Sequence, residues 1–451
     1  MESARADVVE SDEDGEPLVV RGEAIADGMS LPVLAADGDE RGSIVWQGPD
    51  ERVLAMGAAE TITASGPGRF ESVRRRAATL FADRDVPTEL PAFARPRLFG
   101  GFAFHEGRTE RHDDPDWTGF PDARFVLPAV SLIERDGERW LTASAHGPNA
   151  ESEAERTLER WRCRLEDGGE RHSEPPGIAG RHQLPDRDAW TAQVEAALER
   201  VDRGTLRKVV LAGAQSVDLE GDLSVPAVIE RLASTYPDCV RFAFRPEQPG
   251  AGTFFGATPE RLVSRRGRTV ETTALAGSAG RGETTDEDAW LADRLRSSGK
   301  DRHEHALVVE AIREQLEDVA ETVETGDRTI RKLATVQHLQ TPITATLETD
   351  VHVLSLVAAL HPTPAVGGLP PDAALSAIRE AEAFDRGWYA APIGWFDPTG
   401  DGEFAVGIRS ALARDRNATL FAGAGIVADS DPDAEWDEIH LKYRPILDAL
   451  R

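Results

Sequence analysis

Lysine is almost missing from this chain of 451 residues. Only four of its 51 basic residues are lysines, whereas 80 residues are acidic, so the formal net charge is −29. A chain this acidic offers no basic face to the phosphates of a nucleic acid, and an anionic membrane surface would repel it. Carboxylates keep a surface soluble in concentrated salt, which screens their mutual repulsion. The composition therefore indicates a halophilic protein.

Cysteines and long apolar runs are also scarce. Cys163 and Cys239 are the only cysteines, too few for a disulfide framework, which favours a reducing compartment. No run of apolar residues is long enough for a membrane span, and the first 17 residues contain no apolar segment of the secretory type. We therefore expect a cytoplasmic protein without nucleic-acid or membrane partners.

The composition divides the chain into three stretches. Residues 1–17 are acidic and predicted to be disordered. Residues 18–185 contain short alternating segments between Gly and Pro breaks, which predict antiparallel strands, and a helix over 150–165. The acidic segment EDGGERHSEPPGIAG, residues 166–180, is predicted to be a linker. Helices alternate with strands in residues 186–451, so the predicted fold class is α/β (α+β). The main elements predicted there are helices over 187–202 and 303–320 and strands over 207–219, 252–263 and 402–413.

Two polar residues in apolar surroundings are candidate proton-transfer groups. The strand around Lys208, LRKVVLAGA, is apolar on both faces, as in a buried strand. A lysine there loses hydration and can serve as a general base, although a lysine at a sheet edge that reaches water gives the same pattern. Glu260 follows the apolar run FFGA at the end of a strand and is a candidate general acid. A solvated glutamate in a turn is the alternative.

Two predicted helices begin with carboxylates on their core-facing stripes. In KDRHEHALVVE the stripe includes Asp301 and Glu304, although the first turn of any helix favours acids. In the C-terminal helix, Glu435 and Glu438 share a face with Lys442, and the last two have ion-pair spacing. Two acidic pairs on two helices are a candidate cage for a hard divalent ion such as Mg²⁺.

Two further segments favour an anionic ligand. Arg409 lies among small residues in GEFAVGIRSALA, which leaves its guanidinium room to bind a carboxylate through two hydrogen bonds. An arginine at a sheet margin without a ligand fits this pattern equally well. Gly423 and Gly425 in LFAGAGIV allow close approach to the backbone and offer N–H groups to an anion.

Nine motifs in these segments resemble, in order, the chorismate-utilising enzymes that include anthranilate synthase component I. They cover roughly residues 190–450: RKVVLAGA, FFGATPERL, ETTALAGSAGRG, KDRHEHALVVE, VQHLQTPI, LHPTPAVGG, RGWYAAPIGWFD, GEFAVGIRSAL and AGAGIVADSDPDAEWDEIHLK. Within that family, HPTPAVGG and WYAAPIGW are most similar to isochorismate synthases.

The resemblance implies a fold and a reaction. The fold has large antiparallel sheets packed face to face, with helices outside and the site in a cleft, and residues 186–451 form its catalytic region. The reaction is the Mg²⁺-dependent isomerisation of chorismate to isochorismate, in which water attacks C2 and the C4 hydroxyl departs. Menaquinone biosynthesis is the implied pathway, and siderophore synthesis is the alternative.

The resemblance also implies a role for each site residue. Lys208 matches the general base and Glu260 the general acid. Glu304 and Glu438 match the metal ligands, with Asp301 and Glu435 as nearby or water-mediated partners. The substrate-binding positions are Gly277, Ser278, His338, Tyr389, Arg409, Gly423, Gly425 and Lys442.

The same resemblance separates water-using from ammonia-using relatives. Aminating members usually carry Gln at the position of Lys208, and aminodeoxychorismate synthase carries a nucleophilic lysine where this chain has Ala276. Water is therefore the expected nucleophile, and we expect a monomer without a glutamine amidotransferase subunit. Salicylate synthase, which also eliminates pyruvate, remains an alternative, and an anthranilate synthase-like enzyme is a more distant one. A metal-loaded binding protein without turnover is the non-enzymatic alternative.

Overall fold

The computed structural model describes residues 16–26, 42–107, 117–166 and 174–451. The predicted acidic tail, apart from Glu16 and Pro17, lies outside these residues, and so do residues 167–173 of the predicted linker. The strands in the described part are β1 (Leu18–Ala24), β2 (Ser43–Gln47), β3 (Glu51–Ala64), β4 (Arg84–Asp85), β5 (Leu98–Phe102), β6 (Ala123–Arg135), β7 (Glu138–His146), β8 (Ile178–Leu184), β9 (Lys208–Leu219), β10 (Val240–Arg245), β11 (Thr253–Thr258), β12 (Arg261–Arg266), β13 (Thr269–Gly280), β14 (Ala320–Thr325), β15 (Thr329–Lys332), β16 (Val336–Leu347), β17 (Gly368–Leu369), β18 (Pro392–Phe396), β19 (Gly402–Val406), β20 (Ser410–Arg414) and β21 (Asn417–Ile426). The α-helices are α1 (Arg69–Leu80), α2 (Ala150–Glu166), α3 (Arg187–Asp202), α4 (Val225–Thr235), α5 (Thr285–Ser297), α6 (Gly299–Glu317), α7 (Val353–Leu360), α8 (Pro371–Ala381) and α9 (Pro432–Leu450).

Strand β6 is the branch point of a large, almost entirely antiparallel sheet system. It pairs with β3 along one edge, while β5 and β7 divide the opposite edge. From β3 the pairing continues through β2, β10, β11, β20 and β21 to β9. From β5 it continues through β18, β19, β12 and β13 to β16. The predicted α/β (α+β) class with large antiparallel sheets is confirmed.

One apolar core joins both paths of the sheet system. It includes Phe254 of β11 on the first path and Ile393 of β18 on the second, both fully buried. Helix α6 packs on β13 and α9 packs on β21, so the two helices with the predicted metal ligands each cover a strand of the site. In the described part of the chain, no helix is long and apolar enough to cross a membrane.

Two predicted strands are each interrupted by a site residue, so the prediction of one continuous strand was wrong in both cases. Pro259 and Glu260 separate β11 from β12, because proline cannot donate a ladder hydrogen bond. Gly407–Arg409 separates β19 from β20, and Arg409 has a left-handed backbone with φ of 51°. The small residues on either side of this break therefore do not share one strand face with Arg409.

The helix predictions were more accurate. Helices α2 and α3 match the predicted ranges to within one residue, and the Asp186 carboxylate caps α3 by accepting the N–H of Ala189. Helix α6 begins before the predicted residue 303, because the Ser298 hydroxyl caps it by accepting the N–H of Asp301. Helices α1, α4, α5, α7 and α8 were not predicted. The last residues of the predicted linker form β8, which pairs with β9. The domain division near residue 185 stays a prediction.

Candidate active site

A cavity of about 700 Å³, including its open mouth, lies beside β9, β13, β21 and the helices α6 and α9. This volume is in the range of small-molecule sites. Eleven of the fourteen predicted site residues line the cavity, namely Glu260, Gly277, Ser278, Glu304, His338, Tyr389, Arg409, Gly423, Gly425, Glu438 and Lys442. The other three, Lys208, Asp301 and Glu435, are not part of the cavity wall.

Lys208 is buried directly behind the cavity wall. Its side chain is 1% exposed, so the alternative of an edge lysine that reaches water is wrong. Its Nζ lies 2.8 Å from Oε1 of Glu304, which does line the cavity. Gly425 packs against both residues, because a Cβ at that position would lie 2.4 Å from Glu304 Oε1 and 3.0 Å from Lys208 Cε. Only glycine leaves room for the ion pair at this point.

Glu260 is a buried carboxyl group rather than a solvated turn residue. It lies between β11 and β12, where its N–H donates to Thr258 Oγ1 and its carbonyl accepts from the N–H of Val406. Burial raises the pKa of Glu260 to about 7, against the opposing charges of Lys208 and Arg409. The side chain therefore holds a proton over much of the range below neutral pH, as a general acid must.

Arg409, His338 and Ser278 form the guanidinium cluster on the cavity wall. Arg409 Nη2 lies 3.2 Å from His338 Nε2, and His338 Nδ1 lies 3.0 Å from Ser278 Oγ. A guanidinium can only donate, so His338 Nε2 must be the acceptor and its proton must be on Nδ1. Burial, with the Arg409 charge as a second cause, lowers the pKa of His338 well below its ordinary value. The histidine is therefore neutral and oriented as an acceptor for Arg409.

Two donors of Arg409 lack a partner among the described residues. Its Nε and Nη1 are buried and make no hydrogen bond, and burial lowers the pKa of the guanidinium. A buried donor without a partner costs free energy that a carboxylate ligand would recover. Arg409 is therefore arranged to bind an anion in the cavity.

A bulge in β13 places Ser278 in this cluster. The register between β13 and β16 shifts between Ala276 and Ser278, at Gly277, which has φ of 75°. A left-handed residue in a bulge favours glycine, and the extra residue reorients the side chain that follows. Ser278 is thereby paired with His338 across the ladder.

Three predicted metal ligands form the carboxylate cluster, in which each glutamate is bonded to a different lysine. The pairs are Lys208 with Glu304 at 2.8 Å, Lys300 with Glu435 at 2.5 Å and Lys442 with Glu438 at 2.6 Å between Nζ and Oε1.

Neighbouring charges shift the pKa values of Glu435 and Glu438 in opposite directions. Burial, and then repulsion from Glu438, raise the pKa of Glu435 despite its bond to Lys300. Burial also acts to raise the pKa of Glu438, but its bond to Lys442 outweighs burial and holds this pKa below its ordinary value. Glu438 is therefore the more readily ionised of the two.

The predicted cage of four carboxylates is not formed. Within residues 16–26, 42–107, 117–166 and 174–451, no three His, Cys, Asp or Glu side chains are grouped to hold a metal ion. Glu304 and Glu438 face the cavity, Glu435 is bonded to Lys300, and Asp301 lies behind Gly277. Two carboxylates completed by water and an anionic ligand still suit a hard divalent ion.

The sequence analysis missed a buried ion pair that supports the strand of Lys208. Both oxygens of Glu382 accept from Arg386, which lines the cavity and also donates to the carbonyl of Val210 at 2.8 Å. Glu382 also accepts the N–H of Ala212 at 2.8 Å. The side chains of Glu382 and Arg386 thus bond the backbone of β9 along the part of its edge that lies between its pairings with β17 and β8. The spacing of four residues between Glu382 and Arg386 was the available signal.

Comparison with known proteins identifies the family. Residues 16–451 match the family described as chorismate binding enzyme. The chain belongs to this family. It is 41% identical over 415 residues to the salicylate biosynthesis isochorismate synthase of Pseudomonas aeruginosa, a match that covers 90% of this chain and 84% of that protein. It is 37% identical over 359 residues to the isochorismate synthase MenF of Bacillus subtilis, a match that covers 79% of this chain and 74% of that protein.

Solved structures of chorismate binding enzymes share the fold. The menaquinone-specific isochorismate synthase MenF from Escherichia coli superposes with a TM-score of 0.77 at 26% identity, covering 98% of this chain and 97% of that one. Anthranilate synthase component I from Streptococcus pneumoniae superposes with a TM-score of 0.70 at 20% identity, and the match covers 99% of this chain and 95% of that one. The second match supports the fold alone.

Proposed function

We propose that this enzyme isomerises chorismate to isochorismate. The observation that carries the proposal is that one cavity contains a buried acid, Glu260, and an arginine, Arg409, with two unpartnered buried donors. In the proposed step, water oxygen bonds to C2 and gives its proton to Lys208. The ring double bond shifts, the C4–oxygen bond breaks, and the departing hydroxyl takes the proton of Glu260. Atoms and charge balance without an oxidant or a reductant.

Arg409 and Tyr389 are the proposed ligands of the enolpyruvyl carboxylate. Arg409 offers its two unpartnered donors, Nε and Nη1, to carboxylate oxygen atoms in the cavity. The Tyr389 hydroxyl lies 3.1 Å from where a Cβ at Gly423 would stand, so this glycine keeps the hydroxyl accessible from the cavity. Tyr389 also stacks on Phe421, with ring centroids 5.2 Å apart, which fixes the plane of its ring.

Lys208 is proposed to act from behind Gly425. To accept a proton, Lys208 must be the neutral amine rather than the ammonium partner of Glu304, and it must extend into the cavity past the absent side chain of Gly425. The surrounding β9 and β21 ladder, in which Val210 pairs with Gly425, keeps the main chain rigid while the side chain moves.

Glu304 and Glu438 are the proposed ligands of a Mg²⁺ ion, with Asp301 and Glu435 as water-mediated partners. When bound, the ion supplies positive charge that binds and orients the ring carboxylate of the substrate. Lys442 donates to the carbonyl of Gly423 at 2.6 Å and holds Glu438 at the cavity wall.

Water is the proposed nucleophile. Ala276 lines the cavity at the position where an aminating relative carries a nucleophilic lysine, and a methyl group cannot attack. We accordingly propose no glutamine amidotransferase partner, and a cytoplasmic enzyme, which agrees with the free thiols of Cys163 and Cys239.

Product analysis tests the reaction. Purified protein is incubated with chorismate and Mg²⁺ in concentrated KCl, because a net charge of −29 favours unfolding by self-repulsion at low salt. We expect isochorismate as the only product. Salicylate and pyruvate as main products would identify a salicylate synthase, and no consumption of chorismate would indicate a binding protein.

Menaquinone biosynthesis is the proposed pathway. Two relatives named MenF support it, one by 37% identity and one by structure. The Pseudomonas aeruginosa relative, named for salicylate biosynthesis, favours a siderophore route as the second candidate. Expression in an Escherichia coli strain without its menaquinone-specific isochorismate synthase should restore menaquinone. Full chorismate isomerisation in extracts without restored menaquinone would favour the second route.

A further inference from the structure

Three of the four lysines in this chain are bonded to the three glutamates of the carboxylate cluster. The fourth, Lys332, is bonded to Asp288 at 2.7 Å, which also accepts from Arg281. Elsewhere the chain uses arginine, which accounts for 47 of its 51 basic residues. An ammonium is a compact point charge, whereas a guanidinium binds a carboxylate through two fixed hydrogen bonds. In the carboxylate cluster, each lysine therefore supplies a counter-charge through a single bond to one glutamate oxygen.

Lys300 is the member of these pairs for which neither the motifs nor the proposed mechanism supplies a role. It precedes Asp301 in the first turn of α6 and reaches across to α9, where its Nζ lies 2.5 Å from Glu435 Oε1. The Glu435 side chain is 1% exposed and that of Lys300 is 26% exposed. Lys300 does not line the cavity, and its described bond is to Glu435 rather than to a residue of the cavity wall.

The charges of the carboxylate cluster nearly cancel. In the paired state, its three lysines offset its three glutamates. When Lys208 is the neutral amine that acts as the base, the cluster keeps one net negative charge, which a bound divalent ion would reverse to positive. Arg409 adds a further positive charge on the cavity wall. Chorismate carries two carboxylates, so a positively charged loaded site favours its binding.

We infer that Lys300 is a positioning residue that sets this balance. By neutralising Glu435, it weakens the attraction of the site for a divalent cation and leaves the loaded site positive enough for a dicarboxylate substrate. The inference rests on the proposed function. If Lys300 only contributed packing, its replacement would not tighten metal binding.

Titration of the metal alone tests this inference. Mn²⁺ binding to Lys300→Gln is measured by electron paramagnetic resonance and by calorimetry, without substrate. Because one positive charge near the site is lost, we expect Mn²⁺ to bind at least about fivefold more tightly. With the metal saturating, we expect the KM for chorismate to rise by a similar factor while kcat changes less.

Charge-matched variants separate charge from structure. Lys300→Arg keeps the charge, so Mn²⁺ affinity should stay within about twofold of the wild type. The double variant Lys300→Gln/Glu435→Gln removes one charge of each sign, so its Mn²⁺ affinity should fall below that of Lys300→Gln. Lys332→Gln is the matched control, because Asp288 keeps its bonds to Arg281. This variant should change neither the Mn²⁺ affinity nor the KM for chorismate.

Unchanged or weaker Mn²⁺ binding in folded Lys300→Gln would overturn the inference. The inference also fails if the double variant binds Mn²⁺ as tightly as Lys300→Gln, because the effect would then not be charge. Isochorismate formation by the wild type is measured separately. If the wild type is active and these variants fail their expectations, the inference fails while the proposed function stands.

Discussion

The guanidinium cluster and the carboxylate cluster share one cavity but treat charge in opposite ways. In the carboxylate cluster every glutamate has its own lysine within 2.8 Å. In the guanidinium cluster Arg409 has only a neutral histidine as partner, and two of its buried donors remain unpartnered. Arg409 is buried, and so are Lys208 and Glu304 of the carboxylate cluster, so solvent access alone does not account for the difference.

The difference shows which charge the site lacks. A buried positive group without a counter-ion is costly unless a ligand supplies one, so Arg409 is ready for an anion. Paired carboxylates have no such deficit, so their lysines weaken the attraction of the cluster for a cation. Substrate recognition should therefore depend most strongly on Arg409, and metal binding should respond to small changes in nearby charge.

Replacing Arg409 should have the largest effect, because it removes the uncompensated charge. For Arg409→Ala we expect kcat/KM for chorismate to fall by about a thousandfold, since two charge-assisted hydrogen bonds are lost. Steady-state kinetics measures the loss. Arg416→Ala, on the exposed surface, is the control and should retain full activity. A decline of less than tenfold would mean that the carboxylate is bound elsewhere.

Glu260 lies between the two clusters and tests whether proton transfer is separate from binding. For Glu260→Gln we expect kcat to fall by about 10²- to 10³-fold, because the amide keeps the shape but has no proton to transfer. The KM should change little. A large rise in KM with kcat preserved would make Glu260 a binding residue.

The pH profile of the wild type provides the accompanying measurement. An acid with a pKa of about 7 keeps its proton below that pH and loses it above. The kcat/KM should therefore decline about tenfold per pH unit on the alkaline side of 7 and should not decline through this group on the acidic side. A flat alkaline side would exclude Glu260 as the acid with this pKa.

Gly425 packs against the Lys208–Glu304 pair, so adding a side chain at this position should disturb the carboxylate cluster. For Gly425→Ala we expect kcat/KM to fall by roughly 10- to 100-fold, because the new methyl group would stand 2.4 Å from Glu304 Oε1. Gly48→Ala is the control, since no atom lies within 4 Å of its added Cβ. Circular dichroism should show both variants folded. Equal activities would contradict the assigned contact.

His338 should have the smallest effect, because it orients Arg409 without supplying charge. For His338→Leu we expect the KM to rise by about tenfold, since Arg409 loses the acceptor at 3.2 Å. His338→Gln keeps an acceptor oxygen and should recover most of the loss. If both variants behave alike, the hydrogen bond to Arg409 is not what orients the guanidinium.

The sequence predicted the helices, and which residues share a helix face, better than it predicted which side chains are bonded to each other. Helical spacing correctly placed Glu304 and Glu438 towards the site, because periodicity reports which residues share a face. It did not predict that Glu304 pairs with Lys208, since these residues are far apart in the chain and meet only through the packing of α6 on the sheet. Lys300 remained without a role for the same reason.

Strand alternation failed where the backbone leaves the strand conformation. In the segment around Arg409 the alternating pattern continues across a break, and a left-handed residue that is not Gly, Asn or Asp gives no local signal. The break was visible only as a cluster of small residues. Eleven of the fourteen residues that the family motifs matched line the cavity, but motifs carry no information on which residues are bonded to one another.

The left-handed backbone of Arg409 has a consequence for protein engineering. A non-glycine residue in this conformation costs about 1–2 kcal/mol, so Arg409→Gly would relieve strain and remove a buried, partly unsatisfied cation at once. A library screened only for thermal tolerance would therefore enrich glycine at position 409 and discard the substrate site. Selection for heat resistance in this enzyme must be coupled to a turnover assay, because here the more durable protein is the inactive one.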